Sequence, residues 1–273
     1  MAQEQFMEII EVNNSKASAK IALQGAHIFH YSRHGEKSFL WLSEISDFED
    51  GKAIRGGVPI CWPSFGMNNP SLPQHGFART ALFEHVSTKE LGDDTTEVIL
   101  KLRDSKESLK LWAYKFELEM KITISDSLEM ELTTTNLDDK SFEITQALHS
   151  YFNISNISNV KVKGLETKPY LNALNSEQCV QDGDIVFDEE IDRVYQEVSN
   201  GIELIDKNRT INIKNEGSSS VVVWNPWIEK SKRMSAMRDD AYKEFVCIES
   251  ANAFEDFVVL EPTQIHTLKA TIY

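Results

Sequence analysis

The sequence predicts an all-β fold, a large antiparallel sandwich or barrel. Apolar and polar residues alternate along most of the chain, polar turn signals separate the alternating segments, and helical patterning is rare. No repeat of fixed period is visible, which disfavours a propeller or a solenoid. No linker is visible either, so residues 1–273 are expected to form a single domain.

The clearest strands lie in the middle of the chain. In residues 116–124, Phe, Leu, Met and Ile share one face while Glu, Lys and Thr share the other, which is typical of a half-buried strand. The pattern resumes at residues 128–135 after the polar turn Ser125-Asp126-Ser127, so we expect a hairpin. Further strands are predicted over residues 17–23, 80–87, 96–103, 142–152, 209–214, 220–224, 244–249 and 263–272.

Helix candidates are few. Residues 105–112 are long enough for one or two turns, and residues 230–242 have helical composition with Ser231 available as an N-cap. The fold is therefore expected to contain few short helices.

Composition limits the class of partner. The net charge of −15 argues against nucleic acid or an anionic membrane, because both require a basic surface. No stretch approaches the ~18 consecutive apolar residues of a membrane helix, so no membrane segment is expected. The three cysteines, Cys61, Cys179 and Cys247, are an odd number without paired spacing, and no secretion signal is visible. We expect a cytoplasmic protein without disulfides or structural zinc.

One segment, residues 54–79, interrupts the alternation. It concentrates four prolines and four glycines, so it is expected to be an ordered loop, and long ordered loops are usually functional. Arg55, Gln74, His75 and Arg79 predict a polar pocket wall within it, where paired arginines suit an anion. The alternative is that each arginine braces a neighbouring carboxylate.

Two further residues are candidates for acid/base chemistry. Alternation puts His149 on the same face as the small residues Thr145 and Ala147, which leaves room for a ligand. Glu249 follows an apolar run, and an unpaired buried charge is costly. Each residue also fits a structural reading, His149 as a satisfied strand histidine and Glu249 as a strand end that reaches solvent.

Aromatic residues and clustered histidines are the remaining candidates for ligand binding. Trp224-Asn-Pro-Trp227 predicts a turn carrying two indoles, which either stack on a sugar ring or pack in the core. His27, His30 and His34 are close in sequence, but a strand would point the first two to opposite faces. No carboxylate follows at metal-ligand spacing, and nucleotide-binding and serine-hydrolase motifs are missing. We expect no metal site and no cofactor.

Taken together, the motifs resemble the hexose-6-phosphate mutarotases, which are glucose-6-phosphate 1-epimerases within the aldose 1-epimerase superfamily. They occur in the order typical of that family and span residues 21–250. The residues that carry the resemblance are Arg55-Gly-Gly-Val-Pro-Ile-Cys-Trp-Pro-Ser-Phe-Gly66, Leu72-Pro-Gln-His-Gly-Phe-Ala-Arg79, Leu148-His-Ser-Tyr-Phe152, Asp192-Arg-Val-Tyr195, Val223-Trp-Asn-Pro-Trp227 and Val246-Cys-Ile-Glu249.

The resemblance implies a galactose mutarotase-like supersandwich that acts without a cofactor on a small-molecule sugar phosphate. We expect a monomer. One departure is visible, because many members carry Pro-Gly after the glutamate where this chain has Ser250-Ala251-Asn252. The implied roles are His149 as general acid, Glu249 as general base, and Arg55, Gln74, Arg79 and Asp192 as substrate contacts, with His75 beside them in the pocket wall.

In the expected reaction, Glu249 removes the anomeric proton while His149 protonates the ring oxygen. Nearby negative charge is expected to raise the pKa of His149 towards the working pH. The two side chains should face one cavity across the width of a sugar ring. The alternatives are a mutarotase for unphosphorylated aldoses, a non-catalytic carbohydrate-binding sandwich and, third, a metal-dependent cupin-type isomerase.

Overall fold

The computed structural model describes residues 7–67, 69–199 and 201–273. Strands dominate these ranges, and the α-helices in them are short: α1 spans Ser108–Leu111 and α2 spans Trp227–Ser231. The predicted all-β class with few short helices is confirmed. Single 3₁₀ turns occur at Ala78–Thr80, Ile157–Asn159, Ala241–Lys243 and Phe254–Asp256.

The strands are numbered in chain order. They are β1 Ile9–Asn13, β2 Ala17–Ala22, β3 His27–Arg33, β4 Ile60–Cys61, β5 Glu84–Glu90, β6 Thr96–Arg103, β7 Phe116–Ile124, β8 Leu128–Asn136, β9 Phe142–Ile144, β10 Gln146–Leu148, β11 Tyr151–Asn153, β12 Lys161–Lys163, β13 Pro169–Asn172, β14 Glu177–Val180, β15 Ile185–Val186, β16 Ile191–Tyr195, β17 Ile202–Asp206, β18 Arg209–Glu216, β19 Ser220–Asn225, β20 Phe245–Asn252, β21 Val258–Leu260 and β22 Ile265–Ile272.

Two large antiparallel sheets form the sandwich. The first has nine strands in the order β15-β12-β17-β18-β22-β8-β7-β6-β5. The second has eight, in the order β14-β13-β16-β19-β20-β10-β4, with β11 also paired to β20. Two smaller sheets, β1-β2-β3 and β21-β9, complete the described topology.

The main core lies between the two large sheets. Met120 and Ile122 of the nine-stranded sheet share one buried cluster with Val223 and Ile248 of the eight-stranded sheet. In β7, buried residues alternate with half-buried ones, because only one face of that strand meets the core. Every residue of β19 and β20 is buried instead, because both of their faces are covered.

The second covered face of the eight-stranded sheet is what positions the site. Val222 and Trp224 of β19 and Cys247 of β20 alternate with the core residues and belong to a separate buried cluster. Loops and turns from elsewhere in the chain close over this face. The candidate site therefore lies on the outer face of the sheet and not in the core between the sheets.

The predicted strands agree best where alternation is strongest, since β6, β7 and β8 lie where residues 96–103, 116–124 and 128–135 were predicted. The stretch 142–152 is divided between β9, β10 and β11. Glu249 does not end its strand, because β20 continues to Asn252 and pairs on both sides. Ser250-Ala251-Asn252 therefore forms regular strand.

The helix predicted over residues 230–242 is wrong. α2 begins earlier, at Trp227, where the side chain of Asn225 accepts a hydrogen bond from the Trp227 amide, and it ends at Ser231. The Ser231 hydroxyl donates to the carbonyl of Arg238 instead of capping a helix. The segment between them folds back so that its apolar residues join the second cluster. Within the described ranges, no helix is long and apolar enough to cross a membrane.

Candidate active site

His149 and Glu249 lie opposite each other in the eight-stranded sheet. β10 pairs Leu148 with Ser250, and β11 continues along β20 in the same register, which places His149 across from Glu249. Opposite residues of antiparallel strands point to the same side. His149 Nε2 consequently lies 3.3 Å from Glu249 Oε1, and the side chains are 11% and 2% exposed. This spacing is shorter than the predicted width of a sugar ring, because cross-strand partners are adjacent.

The same register brings a second row of side chains to this face. Asp192 pairs with Trp224, Trp224 with Cys247, and Cys247 with Tyr151. The Tyr151 ring stacks on the ring of His149, with centroids 4.9 Å apart and planes 11° from parallel. Stacking on a buried aromatic ring fixes the orientation of the imidazole.

The first part of the 54–79 loop runs beside β11 and supplies Arg55. The Tyr151 amide donates to the carbonyl of Gly57, and Arg55 Nη1 lies 3.4 Å from the Tyr151 hydroxyl oxygen. Gly56 has φ +111°, and a Cβ there would overlap the carbonyl oxygen of Trp41. Glycine is therefore required where the loop passes close to its neighbour.

The second part of the loop supplies Gln74, His75 and Arg79. His75 has φ +64°, which is an uncommon conformation for a residue with a side chain, and Gly76 beside it has φ +71°. A Cβ at Gly76 would overlap the carbonyl of Trp62, so this turn also requires glycine. Arg79 Nη2 donates to the carbonyl of Gln74 at 2.8 Å. The turn thus holds three polar side chains at one place.

These segments enclose a cavity of about 560 Å³. All seven predicted site residues line it, so residues far apart in the sequence come together. Trp224, a candidate for stacking on a sugar ring, lines it as well, and so do Tyr151 and Lys230, which were not predicted as site residues. Alternation two positions after His149 would have indicated Tyr151, whereas no sequence signal pointed to Lys230. The predicted residues are His149, Glu249, Arg55, Gln74, His75, Arg79 and Asp192.

The two loop arginines do not brace carboxylates. Throughout the described residues, neither Arg55 nor Arg79 forms an ion pair, and Arg55 Nε is buried without a hydrogen-bond partner there. Asp192, in contrast, lies 3.7 Å from Lys230 Nζ, which also contacts Glu190 at 2.9 Å. The cavity thus offers an anion two arginines that have no carboxylate partner among the described residues, and it also holds a carboxylate that is paired with a lysine.

Burial opposes ionisation of both members of the central pair. It lowers the pKa of His149 well below its ordinary value, and His75, Arg79 and Arg55 lower it further. Burial likewise raises the pKa of Glu249 well above its ordinary value, with a further contribution from Asp192. Without substrate, the charges of Glu249 and Asp192 do not raise the pKa of His149 as predicted, because burial and the neighbouring positive charges lower it; the part of the prediction that concerns a substrate phosphate stays a prediction.

Both shifts favour the uncharged form of each residue, which is a neutral imidazole for His149 and a protonated carboxyl for Glu249. Glu249 Oε2 and His149 Nδ1 are buried and find no hydrogen-bond partner in the described part of the chain. His75 is also neutral, since burial together with Arg79 and Arg55 lowers its pKa to about 3. Such a pair can donate and accept a proton within one small volume, which is what general acid/base chemistry requires.

The remaining candidates are dispersed. His27 Nε2 lies 2.8 Å from the carbonyl of Gly56, His30 Nε2 lies 3.2 Å from the Ser18 hydroxyl, and His34 bonds a carbonyl elsewhere. Of the two predicted indoles, Trp224 lines the cavity, whereas Trp227 packs on the ring of Tyr242.

Comparison with known proteins assigns the family. The model of the aldose 1-epimerase family matches residues 8–273. This chain belongs to the aldose 1-epimerase family. It is accordingly a sugar-processing isomerase of the epimerase type, and its small-molecule substrate is a sugar.

Individual relatives agree with this assignment. A Cenchrus ciliaris protein named "Putative glucose-6-phosphate 1-epimerase" is 37% identical over 262 residues, covering 89% of this chain and 77% of the relative. An Escherichia coli K12 protein of the same name is 36% identical over 265 residues, covering 95% and 88%. A solved structure described as "a putative mutarotase (YeaD)" from Salmonella typhimurium superposes with a TM-score of 0.92 at 35% identity, covering 99% and 91%. The predicted mutarotase-like sandwich is confirmed.

Proposed function

We propose that this epimerase interconverts the α and β anomers of a hexose 6-phosphate, with glucose 6-phosphate as the expected substrate, and that it needs no cofactor. The observation that carries the proposal is a buried His149–Glu249 pair in a cavity that also holds two arginines without carboxylate partners. The pair suits ring opening, and the arginines suit a phosphate. The names of the relatives favour the same substrate.

The short distance within the pair fits the reacting atoms. Mutarotation moves a proton off the anomeric hydroxyl and onto the ring oxygen, and both oxygens are bonded to the same carbon. Two groups 3.3 Å apart can therefore reach both oxygens at once. Glu249 acts as the base on the hydroxyl, and His149 acts as the acid on the ring oxygen. The open aldehyde then rotates about its C1–C2 bond and closes to the other anomer.

Substrate binding supplies the protonation states that these roles need. Arg55 and Arg79 lower the pKa of His149 but are not among the groups that shift Glu249. A phosphate dianion bound to the arginines offsets their charge, so it raises the pKa of His149. The shared proton then moves from Glu249 to His149. Binding of the phosphorylated sugar thus prepares the acid and the base together.

The remaining residues orient the sugar. Charge-assisted bonds from Arg55 and Arg79 seat the phosphate, because a guanidinium fork suits phosphate oxygens. Gln74, His75 and Asp192 contact hydroxyl groups of the ring. Each positioned proton transfer contributes roughly 10² to 10⁴ in rate, which suffices for a reaction that already proceeds in water. The proposed enzyme acts as a monomer in the cytoplasm.

The first prediction concerns Arg79. We expect Arg79→Ala to lower kcat/KM for glucose 6-phosphate by about 10- to 100-fold, the range for a lost hydrogen bond to a charged group, and to affect glucose far less. Anomer exchange of both sugars, measured by NMR magnetisation transfer, checks this. Arg103→Ala is the matched control, because that arginine is 69% exposed and pairs with a surface glutamate.

Two outcomes would overturn the proposal. An equal loss on both sugars would remove the phosphate role and favour a mutarotase for unphosphorylated aldoses. Sugar binding without acceleration of exchange for either substrate would indicate a non-catalytic carbohydrate-binding sandwich.

A further inference from the structure

A third potential ligand lies beside the His149–Glu249 pair. Cys247 precedes Glu249 by two residues on β20, so alternation puts both side chains on the same face. One ligand atom each from His149, Cys247 and Glu249 lie within 4.8 Å of one another. We propose that these three residues form a binding site for a thiophilic divalent cation such as Zn²⁺, which blocks the active site when it binds.

The donor set is one that zinc prefers. Zinc binds thiolate sulfur at about 2.3 Å and imidazole nitrogen or carboxylate oxygen at about 2.0–2.2 Å, usually with four ligands. In a tetrahedral arrangement, a nitrogen and an oxygen at these distances lie roughly 3.3–3.5 Å apart. His149 Nε2 and Glu249 Oε1 already have this spacing, at 3.3 Å. Only the thiol has to move closer, and water from the cavity can complete the set.

An independent observation points to a ligand at the same place. Glu249 is 2% exposed, yet its Oε2 has no hydrogen-bond partner among the described residues. Buried polar atoms are almost always bonded, so unbonded ones indicate that something else binds there. A metal ion beside Glu249 would compensate its carboxylate.

Charge determines how tightly such a site can bind. His149 is neutral and offers a lone pair. The Cys247 thiol and the protonated Glu249 carboxyl must each release a proton to solvent when the cation enters. Arg55 and Arg79 line the same cavity and repel a cation. We therefore expect reversible inhibition that is weaker than the tight binding of a structural zinc site.

The test measures metal binding directly. Untagged protein is titrated with ZnCl₂ in a calorimeter and, separately, with CoCl₂ while the thiolate-to-cobalt absorption in the near ultraviolet is followed. We expect one Zn²⁺ per chain and a thiolate band for the unchanged protein. Cys247→Ala should lose the band and bind Zn²⁺ at least about tenfold more weakly, since even changes around a metal ligand commonly cost 10- to 100-fold.

Matched variants make the outcome specific. Cys61→Ala and Cys179→Ala remove the other two thiols and should keep the band, and Cys247→Ser serves as a second variant with nearly unchanged volume. Anomer exchange by Cys247→Ala should stay near the original rate while its half-inhibiting Zn²⁺ concentration rises at least about tenfold.

The inhibition readout rests on the proposed function, but the binding readout does not. An unchanged affinity and thiolate band in Cys247→Ala and Cys247→Ser would overturn the metal site. A protein that binds Zn²⁺ through Cys247 but catalyses no anomer exchange would overturn the proposed function and leave the metal site intact.

Discussion

His149 and Glu249 have ordinary pKa values of about 6.5 and 4.3, so in water the histidine would hold the proton. Burial works against that order in the protein, because it disfavours the charged form of each residue. The pair carries a single proton in either arrangement. That proton lies on His149 in the order found in water and on Glu249 in the order that burial favours. Activity should therefore depend on whether the pair holds one proton, which gives a defined pH dependence.

We predict a bell-shaped pH profile for kcat/KM with glucose 6-phosphate. The rate should fall at low pH when the pair gains a second proton, because no base remains, and at high pH when the shared proton is lost, because no acid remains.

His149→Asn should lower kcat by about 10² to 10⁴ while leaving the melting temperature close to the original. Stopped-flow polarimetry from pH 5 to pH 9 measures both effects. An active His149→Asn variant would remove His149 as the acid.

The raised pKa of Glu249 should also make the stability of the protein depend on pH. Its folded pKa is raised above the unfolded value of about 4.3, so the stability associated with it is fully present below pH 4.3. That stability is lost as pH rises through the folded pKa, because the unfolded chain ionises more easily. Glutamine cannot ionise. Glu249→Gln should therefore be more stable at pH 8 by at least about 1 kcal/mol and should lose this advantage towards pH 5.

Calorimetric melting of both proteins from pH 5 to pH 8 measures the difference, with an expected rise of about 2–4 °C per kcal/mol at high pH. Glu203→Gln is the control, because Glu203 is an exposed strand residue. A gap between the Glu249→Gln and original melting curves that stays constant with pH would contradict the raised pKa.

At the scale of single elements, alternation predicts half-buried strands far better than fully buried ones. β7 and β8 have one buried face, so the pattern itself shows where they begin and end. β20 is buried at every position, and its apolar run gives way to Glu249-Ser250-Ala251-Asn252, which looks like the end of a strand. The short strands between residues 161 and 206 were not predicted, because two to five residues span too few alternations.

The candidate site could be predicted in its members but not in its arrangement. Family motifs identified His149, Glu249 and the loop arginines. The distance between His149 and Glu249 depends on the register between β20 and the strands around His149. These strands lie about 100 residues apart in the sequence, and no local pattern encodes their register. Their burial, and hence the direction of both pKa shifts, depends on the loops that cover the sheet.

The turn after β19 gives a prediction for an element. Asn225 is fully buried, its Nδ2 donates to the carbonyls of Tyr242 and Phe245, and its Oδ1 accepts from the amide of Trp227. This one side chain joins β19, α2 and β20, and α2 carries Lys230 into the cavity. Asn225→Ala should lower the free energy of unfolding by about 2–3 kcal/mol, because it leaves buried partners unbonded.

Urea denaturation measures this loss, and Asn208→Ala provides the control because Asn208 is exposed. Asn225→Ala should also bind substrate more weakly, since α2 then lacks the side-chain hydrogen bond that holds its first residue. Unchanged stability in Asn225→Ala would show that the turn is held by its backbone alone.

At the scale of the whole molecule, one buried cluster runs from Val12 to Ile272 and includes side chains from both large sheets. We propose on this ground that residues 1–273 fold as a single domain. The active site lies outside this cluster, on the opposite face of the eight-stranded sheet. Its geometry depends on the core through the few residues that contact both regions.

Trp62 is the residue that joins them most directly. It is fully buried, and its Nε1 donates to Thr134 Oγ1 of β8 in the nine-stranded sheet at 3.0 Å. Its backbone amide donates to the carbonyl of His75, and its carbonyl accepts from the amide of Phe77, so it also fixes the turn between His75 and Arg79. A change in packing at Trp62 should therefore reach the substrate-binding loop.

We predict that Trp62→Phe lowers the free energy of unfolding by about 2 kcal/mol, through a lost hydrogen bond and a smaller ring, and lowers the melting temperature by roughly 4–8 °C. It should also reduce kcat/KM, because the Trp62 ring packs edge-on against Phe77 in the turn that carries His75 and Arg79. Trp227→Phe is the matched control, since this indole is only half-buried and packs on Tyr242 at the edge of the main core. A double-mutant cycle with Thr134→Val separates the two effects: the hydrogen bond accounts for the stability loss only if the double variant loses less than the sum of the single variants. Strict additivity would assign the loss to packing alone, and an unchanged kcat/KM would show that the loop holds its shape without Trp62.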